Sequence, residues 1–141
     1  MGTRHTGRKL AMQIIYQAEI QNAFSIDQIM DDYLSLHKYQ TDTQNWTREL
    51  SRGVWLNKAD IDHTIIPYLK GWAFERINKI DLTLLRLAIF EINYLKTTPS
   101  IIINEIVEIS KKYGTDESYR FINGVLDRIA KEKCLPDSLP S

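Results

Sequence analysis

DLTLLRLAIFEINYL, residues 81–95, is the stretch that decides the fold. Leu82, Leu84, Leu85, Leu87, Ala88, Ile89, Phe90, Ile92 and Leu95 fall on nearly every side of a helical wheel. A helix that is apolar around its whole circumference is stable in water only when other elements surround it. Asp81 is well placed to cap its start. The spacing therefore predicts a central helix, the most buried element of an all-α bundle.

The segments before it supply neighbours for such a helix. Ile61, Ile65, Ile66 and Leu69 keep helical spacing, but Pro67 should kink or end that helix within a turn, with Lys70-Gly71 as a stop. Trp46, Leu50, Val54 and Trp55 define another helix up to about Asn57, and the polar residues 40–45 before it read as a loop. Ser25-Ile26-Asp27-Gln28 has the capping-box pattern and opens a helix through Ile29, Met30, Tyr33 and Leu34. Over residues 8–21, Leu10, Ala11, Ile14, Ile15 and Ala18 share one side of a wheel, which predicts a first helix packed on the core.

Downstream, Thr98-Pro99 suits a helix start and Tyr113-Gly114 a helix end with glycine in the left-handed cap. Ile101-Ile102-Ile103 alone would suit a strand, yet Ile102, Ile106, Ile109 and Tyr113 hold a helical face for three turns. Thr115 can cap a last helix with Ile122, Val125, Leu126 and Ile129 on its core face, so the hairpin signal Asn123-Gly124 is discounted. The expectation is an all-α, compact bundle of about seven helices. It forms one domain over residues 1–135, with sub-bundles about 6–57 and 58–133, and a flexible tail at 136–141 that holds Pro136 and Pro140 at its edges.

Composition narrows the function. Hydrophobic residues at 43% and charged residues at 26% suit a globular core rather than a disordered chain. No run approaches the roughly 20 apolar residues of a membrane span, and Cys134 is a lone cysteine with no disulfide partner, so a cytoplasmic protein is expected. The 18 basic and 18 acidic residues balance, so any attraction to phosphate must come from a local patch. Arg4, His5, Arg8 and Lys9, all ahead of the first acidic residue Glu19, form one. His5, His37 and His63 are scattered, and Asp60, Asp62 and His63 read as a solvated face because helical residues two apart point in different directions. Neither a phosphate-binding glycine loop nor a nucleophile beside a base is visible. The sequence thus predicts no catalytic residues, no metal and no cofactor, and points to binding.

Two surfaces are candidates for it. Met12, Tyr16 and Ile20 form a second stripe on the first helix, which suits a partner protein or else cover by the chain's own domain. Phe121 lies at the edge of the last helix's core face, beside Glu117 and Arg128 with Arg120 further around, which suits either base stacking or core packing.

Specific motifs add to this. The stretch Ile103-Asn104-Glu105, the run KKYGTDES at residues 111–118 and RFINGVLD at 120–127 resemble the C-terminal signature of the NusB family. DLTLLRLAIFE at 81–91 and Pro67-Tyr68-Leu69 with Trp72 are similar too, and residues 8–16 match more loosely. The resemblance implies a two-part helical bundle that, with the ribosomal protein NusE, binds the single-stranded boxA element of nascent RNA. It further implies a place in the RNA polymerase antitermination complex during ribosomal RNA synthesis. On that resemblance Arg4, His5, Arg8, Lys9, Glu117, Arg120 and Phe121 face RNA, whereas Tyr16 and Asp81, with Met12 and Ile20 beside them, lie on the NusE side, apart from the RNA surface. Family members often carry consecutive arginines near the start. The sparser set here implies weak, salt-sensitive RNA binding without the partner. Glu117 stands where the family often has aspartate. Three alternatives remain at this level: the NusB-like part of a ribosomal RNA cytosine methyltransferase, which would need an α/β domain after Ser141; a helical adaptor that binds protein only; and a homodimer through the Met12 stripe.

Overall fold

The computed structural model describes residues 2–133; Cys134 and the tail expected at 136–141 lie outside the described residues. Among the described residues the chain forms seven α-helices: α1 Thr3–Gln21, α2 Asp27–Leu34, α3 Thr41–Leu56, α4 Lys58–Ile65, α5 Lys79–Asn93, α6 Pro99–Tyr113 and α7 Ser118–Lys133. Short 3-10 turns at Ile66–Tyr68 and Phe74–Arg76 connect α4 to α5. None of these helices is long and apolar enough to cross a membrane.

The central helix is where its composition puts it. Every residue from Asp81 to Ile92 is buried, and α5 packs on α1, α3, α4, α6 and α7. One hydrophobic cluster runs through all seven helices and includes Ile14 and Ile15 of α1, Leu50 of α3 and Ile122, Val125, Leu126 and Ile129 of α7. Arg86 and Glu91 of α5 are buried with it, and each is paired with an opposite charge. Arg86 donates from Nε and Nη2 to the Asp62 carboxylate at 2.8 Å each, and from Nη1 to Glu19 at 3.1 Å. Glu91 accepts from Arg8. Pairing is what makes a buried charge tolerable, and these pairs fasten α1 and α4 to the centre. Asp62 is thereby committed to Arg86, which removes it from the Asp60, Asp62 and His63 trio.

Helix ends depart from the sequence reading in several places. Asp81 is not the cap of α5; Asn78 is, accepting from the Asp81 backbone N–H at 2.8 Å, while the Asn78 side-chain amide donates back to Asp81 Oδ2 at 3.1 Å. This reciprocal pair has the logic of a capping box. Residues 41–45 are helix rather than loop, since α3 begins at Thr41 and the Thr47 hydroxyl donates to the carbonyl of buried Thr43 at 2.7 Å. Thr41, Asp42 and Asn45 are the solvent side of that helix, whereas Thr43 turns inward. Gly114 is extended, with φ −96°, rather than left-handed. Its value is room: a Cβ there would lie 2.5 Å from Ser118 Oγ. α7 runs from Ser118, whose Oγ accepts from the Thr115 backbone N–H at 2.9 Å. Pro67 acts as expected, ending α4 in a 3-10 turn that Lys70 and Gly71 close with positive φ.

Candidate nucleic-acid interface

The Phe74–Arg76 turn and the Asn78 cap bring the segment before α5 against the first turn of α7. There the rings of Trp72 and Phe121 meet at 5.1 Å between centroids, tilted by 57°. Phe121 is half-buried against the core, whereas Trp72 is 56% exposed. Together they wall a cavity of about 550 Å³ that Arg76, Asn78, Asp81, Thr115, Glu117, Ser118 and Arg120 also line. Arg76 and Arg120 are exposed and have no ion-pair partner among the described residues. Asp81 is nearly buried here, and its Oδ1 lacks a hydrogen-bond partner. Burial pushes its carboxyl above the usual aspartate range, and the nearby Ser118 hydroxyl and the Asn78 amide pull it only partly back.

Three further depressions continue from this cavity. One of about 290 Å³ shares Asn78 and Thr115 with it and adds Tyr16, Lys79, Ile80 and Tyr113. The next, about 400 Å³, shares Tyr113 and adds His5, Lys9, Glu108, Lys111 and Lys112. The last, about 670 Å³, shares His5 and Glu108 and adds Arg4, Arg8, Thr97, Ile101 and Glu105. Through shared lining residues the four depressions form a row from the first turn of α1, past the end of α6, to Phe121. Its cations outnumber its carboxylates, so a chain of zero net charge presents a locally basic track. Aromatic rings of Tyr16, Tyr113, Phe121 and Trp72 interrupt it at intervals.

The row gathers most of the residues singled out in the sequence and corrects three of those readings. Arg8 is not a free cation. It is 5% exposed, and its Nε and Nη2 donate to Glu91 at 2.6 and 2.9 Å, with Nη1 3.4 Å from Glu105. Burial alone would lower its pKa, but the hydrogen bond and charge of Glu91, helped by Glu105, more than offset this and raise it. Its guanidinium is a buried tie between α1 and α5, with no fork left for phosphate. Met12 is not on the surface either: it is 1% exposed, because α3 covers one flank of α1 and α5 another. Of the expected stripe only half-buried Tyr16 and exposed Ile20 reach solvent. Finally, Asp81 does not lie apart from the residues expected to face RNA; it lines the same cavity as Glu117, Arg120 and Phe121.

Arg4, His5 and Lys9 do lie along the row, with Arg4 exposed and the His5 Nδ1 3.1 Å from Glu105. Sequence reasoning missed Arg76, Lys111, Lys112 and Tyr113. Lys111-Lys112-Tyr113 was readable as a basic and aromatic cluster at a helix end, whereas Arg76 sits in an irregular turn that leaves no periodic signal.

Fold and surface together define a class, that of a small all-helical protein that carries an open basic and aromatic track. The model of the NusB family matches residues 5–131. The transcription antitermination protein NusB of Sulfurimonas denitrificans is 38% identical over 133 residues, which cover 94% of this chain and 100% of that protein. The solved T. maritima NusB superposes with a TM-score of 0.85 at 34% identity, covering 94% of this chain and 92% of that one. A chain of the crystal structure of antitermination factors NusB and NusE in complex with dsRNA shares the fold, with a TM-score of 0.85 at 22% identity over 94% of this chain and 98% of that one. The chain belongs to the NusB family of transcription antitermination factors.

Proposed function

We propose that the chain binds a single-stranded, boxA-type RNA together with NusE, in the cytoplasm, as part of the RNA polymerase antitermination complex that supports ribosomal RNA synthesis. The observation that carries this reading is the row of four depressions, linked by shared lining residues, from Arg4 to Phe121. Cations spaced along a track hold a phosphate backbone, and exposed ring faces between them take unstacked bases, which a duplex does not offer. Arg4, His5, Lys9 and Lys112 serve the phosphates; Phe121 with Trp72 serves a base, with Arg120 beside it. Glu117 on the rim repels phosphate and so confines the strand to the cationic side. The NusE side comprises Tyr16, Ile20 and the neighbourhood of Asp81; that NusE is the partner is supported by the crystal structure of antitermination factors NusB and NusE in complex with dsRNA. Because Tyr16 and Asp81 line depressions that adjoin each other, NusE and RNA meet along a shared boundary. Contact between them there is taken to be favourable, and by linkage each then raises the affinity of the chain for the other by the same factor.

Two substitutions separate RNA contact from protein contact. Phe121→Ala loses on the order of 1 to 3 kcal/mol of RNA binding with little change in salt dependence. Lys9→Ala weakens binding and flattens the slope of log affinity against log salt by about 0.7, the value for one phosphate on a single strand. Both keep NusE binding in fluorescence anisotropy with labelled boxA RNA. If both variants bind RNA like the parent in the presence of NusE, a protein-only adaptor replaces this reading.

A further inference from the structure

The first turn of α1 is a poor helix start on local grounds. Its N-cap, Gly2, offers no side chain, its own first turn holds no acidic residue, and Arg4 adds positive charge there. Gly7 follows, a further local cost in a helix interior. The turn forms nevertheless, and Trp46 of α3 is set against it. The indole is 7% exposed, its Nε1–H donates to the carbonyl of Arg4 at 3.2 Å, and the Arg4 guanidinium carbon lies over its ring, 4.0 Å from the centroid. Gly7 is what admits the indole, since a Cβ there would lie 2.3 Å from Trp46 Cδ1.

The two nearest arginines are thereby sorted. Arg8 spends its in-plane donors on Glu91. Arg4 has no ion-pair partner among the described residues, and a contact with the π face of a ring, unlike an ion pair with a carboxylate, leaves guanidinium N–H groups available to a phosphate. Holding that side chain in advance also removes part of the entropy lost on binding. We infer that Trp46 is a positioning residue for RNA binding, holding Arg4 over its ring as a pre-set phosphate clamp; this rests on the proposal above that the N-terminal cations meet RNA.

A double-variant cycle on the full chain with NusE and labelled boxA RNA tests it. Trp46→Leu should weaken RNA binding on the order of five- to tenfold, the scale of a lost cation–π contact, and Trp46→Phe should recover most of that loss by restoring a ring face. In an Arg4→Ala background neither change should weaken RNA binding further, and NusE affinity should stay the same throughout. Gly7→Ala improves helix propensity yet displaces the indole, so it too should weaken RNA binding; it replaces Trp46→Leu in the cycle if that variant does not fold. Arg4→Ala weakening RNA binding while the Trp46 or Gly7 effects add to it in full would overturn the positioning role alone. Arg4→Ala binding RNA like the parent would overturn both the role and the N-terminal part of the RNA reading.

Discussion

Glu91→Gln should unfold the chain far more readily than its conservative shape suggests. Glu91 is fully buried and accepts from Arg8 at 2.6 and 2.9 Å and from the Thr97 hydroxyl at 3.0 Å. Glutamine fills the same space but turns an amide N–H₂ toward the guanidinium, which is left with the partly exposed Glu105 at 3.4 Å as its remaining carboxylate. Removing one partner of a buried pair leaves a charge uncompensated in the interior, which costs about 3 to 5 kcal/mol. With an unfolding entropy of roughly 2 cal/mol/K per residue, that loss lowers the melting temperature of a chain of this length by roughly 10 to 17 °C. Circular dichroism during heating and urea unfolding measure it directly. Arg8→Ala should also lose stability, whereas the paired change Arg8→Met with Glu91→Leu should recover most of the loss, because no charge then remains buried. A Glu91→Gln protein within about 1 kcal/mol of the parent would refute the assignment of Arg8 as a buried structural tie.

Other positions give contrasting outcomes. Met12→Ala should cost about 2 to 5 kcal/mol of stability with no selective loss of NusE binding; urea unfolding that matches the parent would put Met12 back on the surface. Tyr16→Asp should keep the parent's melting temperature and lose NusE affinity, and a folded variant that binds NusE normally would remove Tyr16 from that interface. Asp81→Asn bears on pH. Burial raises the folded-state pKa of Asp81, so ionisation opposes folding, and this penalty is absent below the unfolded pKa and grows as pH rises through the folded one. The asparagine variant should therefore gain stability relative to the parent at about pH 7 and lose that advantage at about pH 3; a pH-independent difference in urea midpoint would contradict it.

The central helix was legible because Leu82 to Ile92 leave no polar face, and the core faces of α1 and α7 because their spacing repeats over several turns. The start of α1 was not, because the contacts that hold it come from Trp46 and Glu91, distant in sequence. On a wheel Arg8 and Arg4 are equivalent cations; only Glu91, 83 residues away, makes one structural. Met12 misled because a wheel divides a helix into one covered and one open face, while α1 is covered on two. Asp81 and Phe121 came together through the 3-10 turn before α5, whose irregular backbone leaves no period to read.

The central claim is that RNA and NusE bind one chain along adjoining surfaces. Its most direct test is a fluorescence anisotropy titration of labelled boxA-type RNA, with and without saturating NusE, at several salt concentrations and against a scrambled RNA of the same length. The account predicts that NusE tightens boxA binding, that scrambled RNA gains less, and that log affinity falls linearly with log salt by about 0.7 per phosphate held. Equal affinity with and without NusE, or no RNA binding while NusE is demonstrably bound, would contradict it.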